Sequence, residues 1–165
     1  MQDFLTQIEA TSALHLYYLA LFGALAIPDI CGSLEARDGR ATRSSYIAWT
    51  DQNIAPRWFG LMTGQDCYQF RCSMLHQATT QHPDSRYSRI LFVEPGATTN
   101  ISHLTVTDGV LEIDVSLFCR DMISAARAWL LTVEGTEPYE TNRTKLITRY
   151  PEGLAPFIVG VPVIG

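Results

Sequence analysis

An arginine and a histidine, Arg71 and His76, are separated by four residues in the segment Asp66–Gln77. Histidine side chains exchange protons at neutral pH, which suits transfer of the 2′-hydroxyl proton during RNA cleavage. The planar guanidinium of an arginine can hold a phosphate with two charge-assisted hydrogen bonds and stabilise the charge that develops on it. The pair is therefore a candidate site for phosphodiester cleavage that needs no metal.

The segment around the pair has the pattern of an amphipathic helix. Thr63 or Asp66 can cap its N-terminus, and the helix is predicted to run to about Thr79. Arg71 lies at the edge of the apolar stripe and His76 on the opposite side, with about 7.5 Å of axial rise between their Cα atoms. Either the long arginine side chain closes this gap, or a second subunit supplies the other half. The apolar stripe, which should face the core, consists of Cys67, Phe70, Met74 and Ala78.

A purely structural role for the same two residues is the alternative. Arg71 would then pair with Asp29 or Asp66 to satisfy a half-buried charge, and His76 would be an ordinary residue of the polar face. An arginine and a histidine at this spacing also occur by chance. The spacing alone therefore leaves both interpretations open.

Five further residues are predicted to support the pair. Asp29 can orient His76 or pair with Arg71, although helix capping also explains a carboxylate there. Ser73, on the same side of the helix as His76, is a supporting candidate. After the helix, a phosphate-binding rim with an aromatic surface for a base is predicted, and a solvated strand edge is the alternative. The rim consists of Arg86, Tyr87 and Arg89.

No metal site or cofactor is predicted. Cys72, His76 and His82 do not have the spacing of a standard zinc site, and no fourth ligand accompanies them. The cysteines lie in apolar or helical stretches without a CxxC motif, so we expect reduced core thiols and, from them, a cytoplasmic location. The four cysteines are Cys31, Cys67, Cys72 and Cys119.

The composition predicts one soluble domain. The chain has 165 residues, of which 47% are hydrophobic and 18% charged, enough apolar surface for a single core. Its formal net charge of −5 makes broad coating of nucleic acid unlikely, so a polyanion would need a local basic patch. Leu14–Ile27 is strongly apolar but shorter than the ~20 residues that cross a bilayer, and no signal peptide is evident. A membrane partner is therefore not expected.

Hydrophobic periodicity and turn residues predict a mainly helical fold. The loop at 56–64 is expected to fold Trp58, Phe59 and Leu61 inward. The last long helix should pack back on the first one, which is predicted to be central. The predicted helices besides the one with Arg71 are Asp3–Ile27, Pro28–Ala36, one from Thr42 or Ser44 to about Asn53, and Ser116–Val133.

A small β insertion precedes the last long helix, at about residues 87–115. Tyr87–Glu94 is rich in β-forming residues, and Ile101–Val106 and Val110–Val115 alternate on either side of Asp108-Gly109, which predicts a hairpin. Residues 1–134 should form the domain, and 135–165 an extended tail that lies on the domain or on a partner subunit.

An arginine and a histidine at this spacing, on a late helix after a long apolar first helix, resemble the motif of the HEPN superfamily. The resemblance covers about residues 1–80 and Ser116–Val133, and its matching site residues are Arg71 and His76. Where active members often have asparagine after the arginine, this chain has Cys72. Ala78 stands two places after the histidine, where one subgroup has a tyrosine that receives a nucleotide.

The resemblance implies a HEPN-like helical bundle that cleaves single-stranded RNA as a homodimer, with both arginine and histidine pairs lining one cleft. It also implies a toxin or phage-defence role and a cognate antitoxin or larger assembly. Two alternatives stay open. One is an inactive HEPN-like module that binds a nucleotide or a protein, and the other is a structural subunit whose apolar tail docks on an assembly.

Overall fold

The structure is a computed structural model, and it describes residues 1–96 and 102–165. The described residues are mainly helical, with a small β insertion before the last long helix, which confirms the predicted fold class. The helices are α1 (Gln2–Ala13), α2 (Tyr17–Glu35), α3 (Arg43–Asn53), a 3-10 helix (Ala55–Trp58), α4 (Gly64–Gln77), α5 (Val115–Val133) and α6 (Glu137–Arg143). The strands are β1 (Arg89–Val93), β2 (Thr105–Thr107), β3 (Val110–Asp114), β4 (Arg149–Tyr150), β5 (Gly153–Leu154), β6 (Ile158–Val159) and β7 (Val163–Ile164).

The predicted first helix, Asp3–Ile27, is two helices. His15 has a φ of +59°, in the left-handed region, and the chain turns there between α1 and α2. The turn allows α1 to pack on α2, where a Cβ added to Gly23 would lie 2.6 Å from Ile8 Cγ1. The single-helix prediction was wrong because the turn contains neither glycine nor proline, and apolar periodicity continues across it.

Pro28 was predicted to begin a new helix, but it lies buried within α2. A proline in a helix interior removes one backbone hydrogen bond and is normally unfavourable. Here the flanking residues Ile27 and Cys31 are fully buried, so tertiary packing outweighs the local cost. The continuous helix carries Asp29 on the side that contacts Arg71 of α4.

The core is built around α2, which packs against α1, α3, α4, α5 and α6, so the prediction of a central apolar helix is confirmed for this segment. The helix α5 packs on α1 and α2 as expected. Edge-to-face and stacked aromatic pairs fill the space between α3, the 3-10 helix, α4, α5 and the β insertion. These pairs are Trp49 with Trp129, Trp58 with Phe118, and Phe70 with Phe92.

By length and composition α2 is apolar enough to cross a membrane, and it is the one such helix among the described residues. Half of its most apolar window is buried inside the protein. This burial is consistent with the core helix of a soluble domain.

The β insertion is a three-stranded sheet in the order β1-β3-β2. The predicted hairpin is formed by β2 and β3, and Asp108 and Gly109 in its turn have φ values of +51° and +76°. Ile101, the predicted start of the first hairpin strand, lies outside the described residues. β1 joins the sheet parallel to β3, with Ile90 opposite Leu111.

Residues 135–165 are not extended throughout. The helix α6 packs on α2, where Asn142 Nδ2 donates to the Ala36 carbonyl oxygen at 2.7 Å. The remaining residues pair as two short ladders, β4 with β7 and β5 with β6, and their side chains are largely exposed, Phe157 by 81%. The prediction missed α6 because its seven residues are too few for a periodic pattern.

The loop before α4 also differs from expectation. Trp58 is fully buried, as predicted, but Phe59 is 86% exposed and has a φ of +52°. The left-handed turn at Phe59 and Gly60 directs the chain away from the core, so the two aromatic neighbours lie in opposite environments.

Candidate active site

Three residues, Asp51, Thr63 and Asp66, hold the start of α4. Thr63 and Asp66 form a capping box, in which the Thr63 N–H donates to Asp66 Oδ2 at 2.8 Å. The Gly64 N–H donates to Asp51 Oδ1 at 2.6 Å, and a Cβ at Gly64 would collide with the Ile47 carbonyl oxygen. The close contact between α3 and α4 therefore requires glycine here, and it fixes the position of the helix that carries Arg71 and His76.

Arg71 forms an ion pair with Asp29 of α2. Its Nε and Nη2 atoms both donate to Asp29 Oδ2 at 2.8 Å, so one edge of the guanidinium is engaged. The two side chains are only 22% and 20% exposed. Of the two carboxylates considered from the sequence, Asp29 is thus the partner, because Asp66 is occupied by the capping box.

The opposite side of the Arg71 guanidinium faces His76. The distance from Arg71 Nη1 to His76 Nε2 is 3.3 Å. The long arginine side chain therefore closes the axial gap within one subunit, which was one of the two possibilities that the spacing left open. Cys72 Sγ lies 4.0 Å from the same Nη1 atom.

The contact between Arg71 and His76 engages the lone pair of the imidazole. An arginine only donates, so His76 Nε2 accepts from Arg71 Nη1. His76 Nε2 can take a proton from a substrate once Arg71 Nη1 donates to another acceptor, such as a phosphate oxygen.

Burial and charge shift the pKa values of Asp29 and Arg71 in opposite directions. Burial raises the pKa of Asp29 more than the attraction of Arg71 lowers it. Burial also disfavours the charge of Arg71, but the Asp29 carboxylate raises the pKa of the guanidinium above its ordinary value. The Asp29 carboxylate holds the guanidinium against α2.

Two residues that the sequence analysis did not select lie next to the pair. The Tyr68 ring has the guanidinium carbon of Arg71 at 6.0 Å from its centroid and that of Arg43 at 5.6 Å. Burial raises the pKa of the Tyr68 hydroxyl. Tyr68 lies one helical turn before Arg71, and that spacing was visible in the sequence, whereas the approach of Arg43 from α3 was not.

The predicted rim residues have other contacts. Arg86 Nη2 pairs with Asp66 Oδ2 at 2.9 Å and donates to the Leu61 carbonyl oxygen at 2.7 Å. The Tyr87 hydroxyl donates to the same carbonyl, and the Arg86 guanidinium carbon lies 4.8 Å from the Tyr87 ring centroid. These two residues hold the loop before α4. Arg89 is exposed at the start of β1.

Ser73 is buried, and its hydroxyl has no hydrogen-bond partner among the described residues. Ser73 lies three residues before His76 on α4, but its side chain is buried whereas that of His76 is exposed. Among residues 1–96 and 102–165, no group of three or more His, Cys, Asp or Glu side chains is arranged to hold a metal ion.

Comparison with known proteins gives no match: no family model, no curated protein and no solved structure is similar to this chain. The resemblance to the HEPN superfamily therefore rests on the sequence motif of Arg71 and His76.

Proposed function

We propose that this chain is a HEPN-like, metal-independent endoribonuclease of the cytoplasm that cleaves single-stranded RNA. The observation that carries the proposal is the 3.3 Å distance between Arg71 Nη1 and His76 Nε2 on a solvent-accessible side of α4. A guanidinium for the phosphate and an imidazole for the proton thus lie within reach of one phosphodiester. The unpaired thiols at Cys31, Cys67 and Cys119 support a reducing compartment.

In the proposed reaction, a phosphate oxygen of the RNA replaces His76 as the acceptor for Arg71 Nη1. His76 Nε2 is then free to accept the 2′-hydroxyl proton, and the 2′-oxygen attacks phosphorus. The bond from phosphorus to the 5′-oxygen breaks, which leaves a 2′,3′-cyclic phosphate and a 5′-hydroxyl. Arg71 stabilises the additional negative charge on the phosphate with the N–H groups that Asp29 does not use. Asp29 is a positioning residue, since it touches only the guanidinium.

The leaving 5′-oxygen needs a proton, and in the described part of the chain one histidine, His76, contacts Arg71. A homodimer in which two α4 helices face each other would supply it from the His76 of the partner subunit. Exposure of His76 near the C-terminal end of α4 is compatible with such an arrangement. A role as a toxin or phage-defence effector, restrained by a cognate antitoxin or a larger assembly, would follow from uncontrolled RNA cleavage.

The alternative is a HEPN-like module that binds a nucleotide or a protein without cleaving RNA. The observation that favours it is the Asp29–Arg71 ion pair, which occupies one edge of the guanidinium and offsets its charge. Cys72 beside the arginine, where active members often have asparagine, favours it too.

The deciding experiment is incubation of the purified protein with labelled single-stranded RNA in the presence of a chelator. We expect fragments with cyclic phosphate ends, lost in both Arg71→Ala and His76→Ala. His15→Ala is the matched control, because His15 lies at the turn between α1 and α2, where it contacts the Tyr17 hydroxyl, and its loss should leave cleavage unchanged. Intact RNA with the wild-type protein, or equal cleavage by His76→Ala, would refute the nuclease proposal in favour of the module.

A further inference from the structure

A row of accessible side chains continues along α4 from His76 towards its N-terminus. Gln65, Tyr68, Cys72 and His76 are spaced by three or four residues and so share one stripe of the helix, about 16 Å long. Each is at least partly accessible to solvent. Arg43, at the first turn of α3, lies beside the other end of this stripe, and its Nη2 atom donates to Gln65 Oε1 at 2.9 Å.

The positive charge beside the stripe is concentrated at Arg43. Arg71 is compensated by Asp29, whereas Arg43 forms no ion pair with any carboxylate in the described part of the chain. Its hydrogen-bond acceptor, Gln65, is neutral. In a protein with a net charge of −5, such a local uncompensated guanidinium is what a phosphate requires.

Tyr68 connects Arg43 with the Arg71–His76 pair. The two guanidinium carbons lie 5.6 Å and 6.0 Å from the same ring centroid, so they are at most about 12 Å apart. A nucleic-acid strand carries one phosphate per about 3.4 Å of helical rise, so a strand of a few nucleotides reaches both arginines. The Tyr68 ring packs edge to face on buried Tyr46 at 5.4 Å, which holds the ring in place.

We propose that Arg43 and Tyr68 form a second nucleotide subsite, in which Arg43 binds a phosphate of single-stranded RNA and Tyr68 stacks on the neighbouring base. This inference rests on the proposed function, since it extends the binding site of the same strand. An arginine next to an aromatic ring is the usual combination for binding single-stranded nucleic acid. The arginine contacts the phosphate backbone, and the ring can stack on any base.

Binding is measured with the full-length His76→Ala protein, in which the RNA should stay intact, by fluorescence anisotropy of a labelled single-stranded RNA over a salt series. Adding Arg43→Ala should weaken binding and reduce the slope of log K against log salt by about 0.7, the value for one phosphate of a single strand. Arg57→Ala removes another exposed arginine away from the stripe and should leave the slope unchanged. An unchanged slope with Arg43→Ala would overturn the proposal.

The contribution of Tyr68 is separated from folding by changing the RNA. Tyr68→Leu should weaken binding at least about fivefold, while Tyr68→Phe should bind like the parent. With an abasic strand of equal length, all three proteins should bind equally. Equal loss on both strands would assign Tyr68 a structural role and refute the stacking.

Failure of this subsite is distinguishable from failure of the proposed nuclease. RNA cleavage that persists with unchanged salt dependence in Arg43→Ala refutes the subsite alone. Salt-dependent binding through Arg43 and Tyr68 without cleavage refutes the nuclease and supports the subsite. Absence of any RNA binding refutes both.

Discussion

The Asp29–Arg71 ion pair should be a substantial source of stability, and a double-mutant cycle measures it. The changes are Asp29→Asn, Arg71→Met and the double variant, where methionine keeps the apolar stem of the arginine. Two unit charges about 4 Å apart attract by about 4 kcal/mol at an effective dielectric constant of about 20. The side chains are 22% and 20% exposed, so partial screening and desolvation reduce the net coupling to about 1–2 kcal/mol.

The two single variants should differ in cost. Burial raises the pKa of Asp29, so Arg71→Met leaves a carboxylate that is half-buried and without its partner. Asp29→Asn leaves a long arginine that can turn to water, and it should cost less. A raised carboxyl pKa means that the folded state binds protons more readily than the unfolded state. The deficit of Arg71→Met is therefore present at neutral pH and is relieved as the pH falls through the folded pKa.

The assay is urea unfolding followed by circular dichroism, where a loss of 2 kcal/mol moves the midpoint by about 1 M for a typical slope of about 2 kcal/mol/M. Glu9 and Arg127 are the control pair, since their contact is also 2.8 Å long but the side chains are 56% and 40% exposed. Their coupling should be smaller. A coupling between Asp29 and Arg71 below about 0.5 kcal/mol would refute the inference that Asp29 anchors the guanidinium.

Three further outcomes follow from other parts of the fold. Burial raises the pKa of Asp121, but the His103 imidazole 3.8 Å away and a hydrogen bond from Trp58 outweigh this and lower it. Stability should therefore fall as the pH drops below the ordinary pKa of about 3.9, and less so in Asp121→Asn, as acid unfolding curves would show. Gly64→Ala should cost about 2 kcal/mol or more in urea unfolding, because its Cβ meets a carbonyl oxygen of α3, and an unchanged midpoint would contradict that contact. Asn142→Leu should cost about 1–3 kcal/mol in stability, because the Asn142 amide donates to three carbonyl oxygens at the end of α2. The variant should also be cleaved faster by protease after α2, and equal digestion of the two proteins would argue against this anchoring by Asn142.

Local signals were sufficient where the deciding contacts lie within a few residues of each other. Thr42 and Thr63 were each one of two N-cap candidates for α3 and α4, and they are the caps, because a capping box involves residues three positions apart. The hairpin turn at Asp108-Gly109 was recognised for the same reason. The candidate pair itself, Arg71 and His76, was chosen from residue type and spacing, and its catalytic role remains a prediction.

Tertiary structure decided which of the possible contacts are made. Sequence alone could not choose between Asp29 and Asp66 as the partner of Arg71, because the choice depends on how α2 crosses α4 and on the occupation of Asp66 by the capping box. The burial of Pro28 in α2 and the approach of Arg43 to Tyr68 depend on packing between elements distant along the chain. Spacing along the chain determines which residues share a helix face. Packing between helices determines which residues that face contacts, and this packing decides the charge and the exposure of the site.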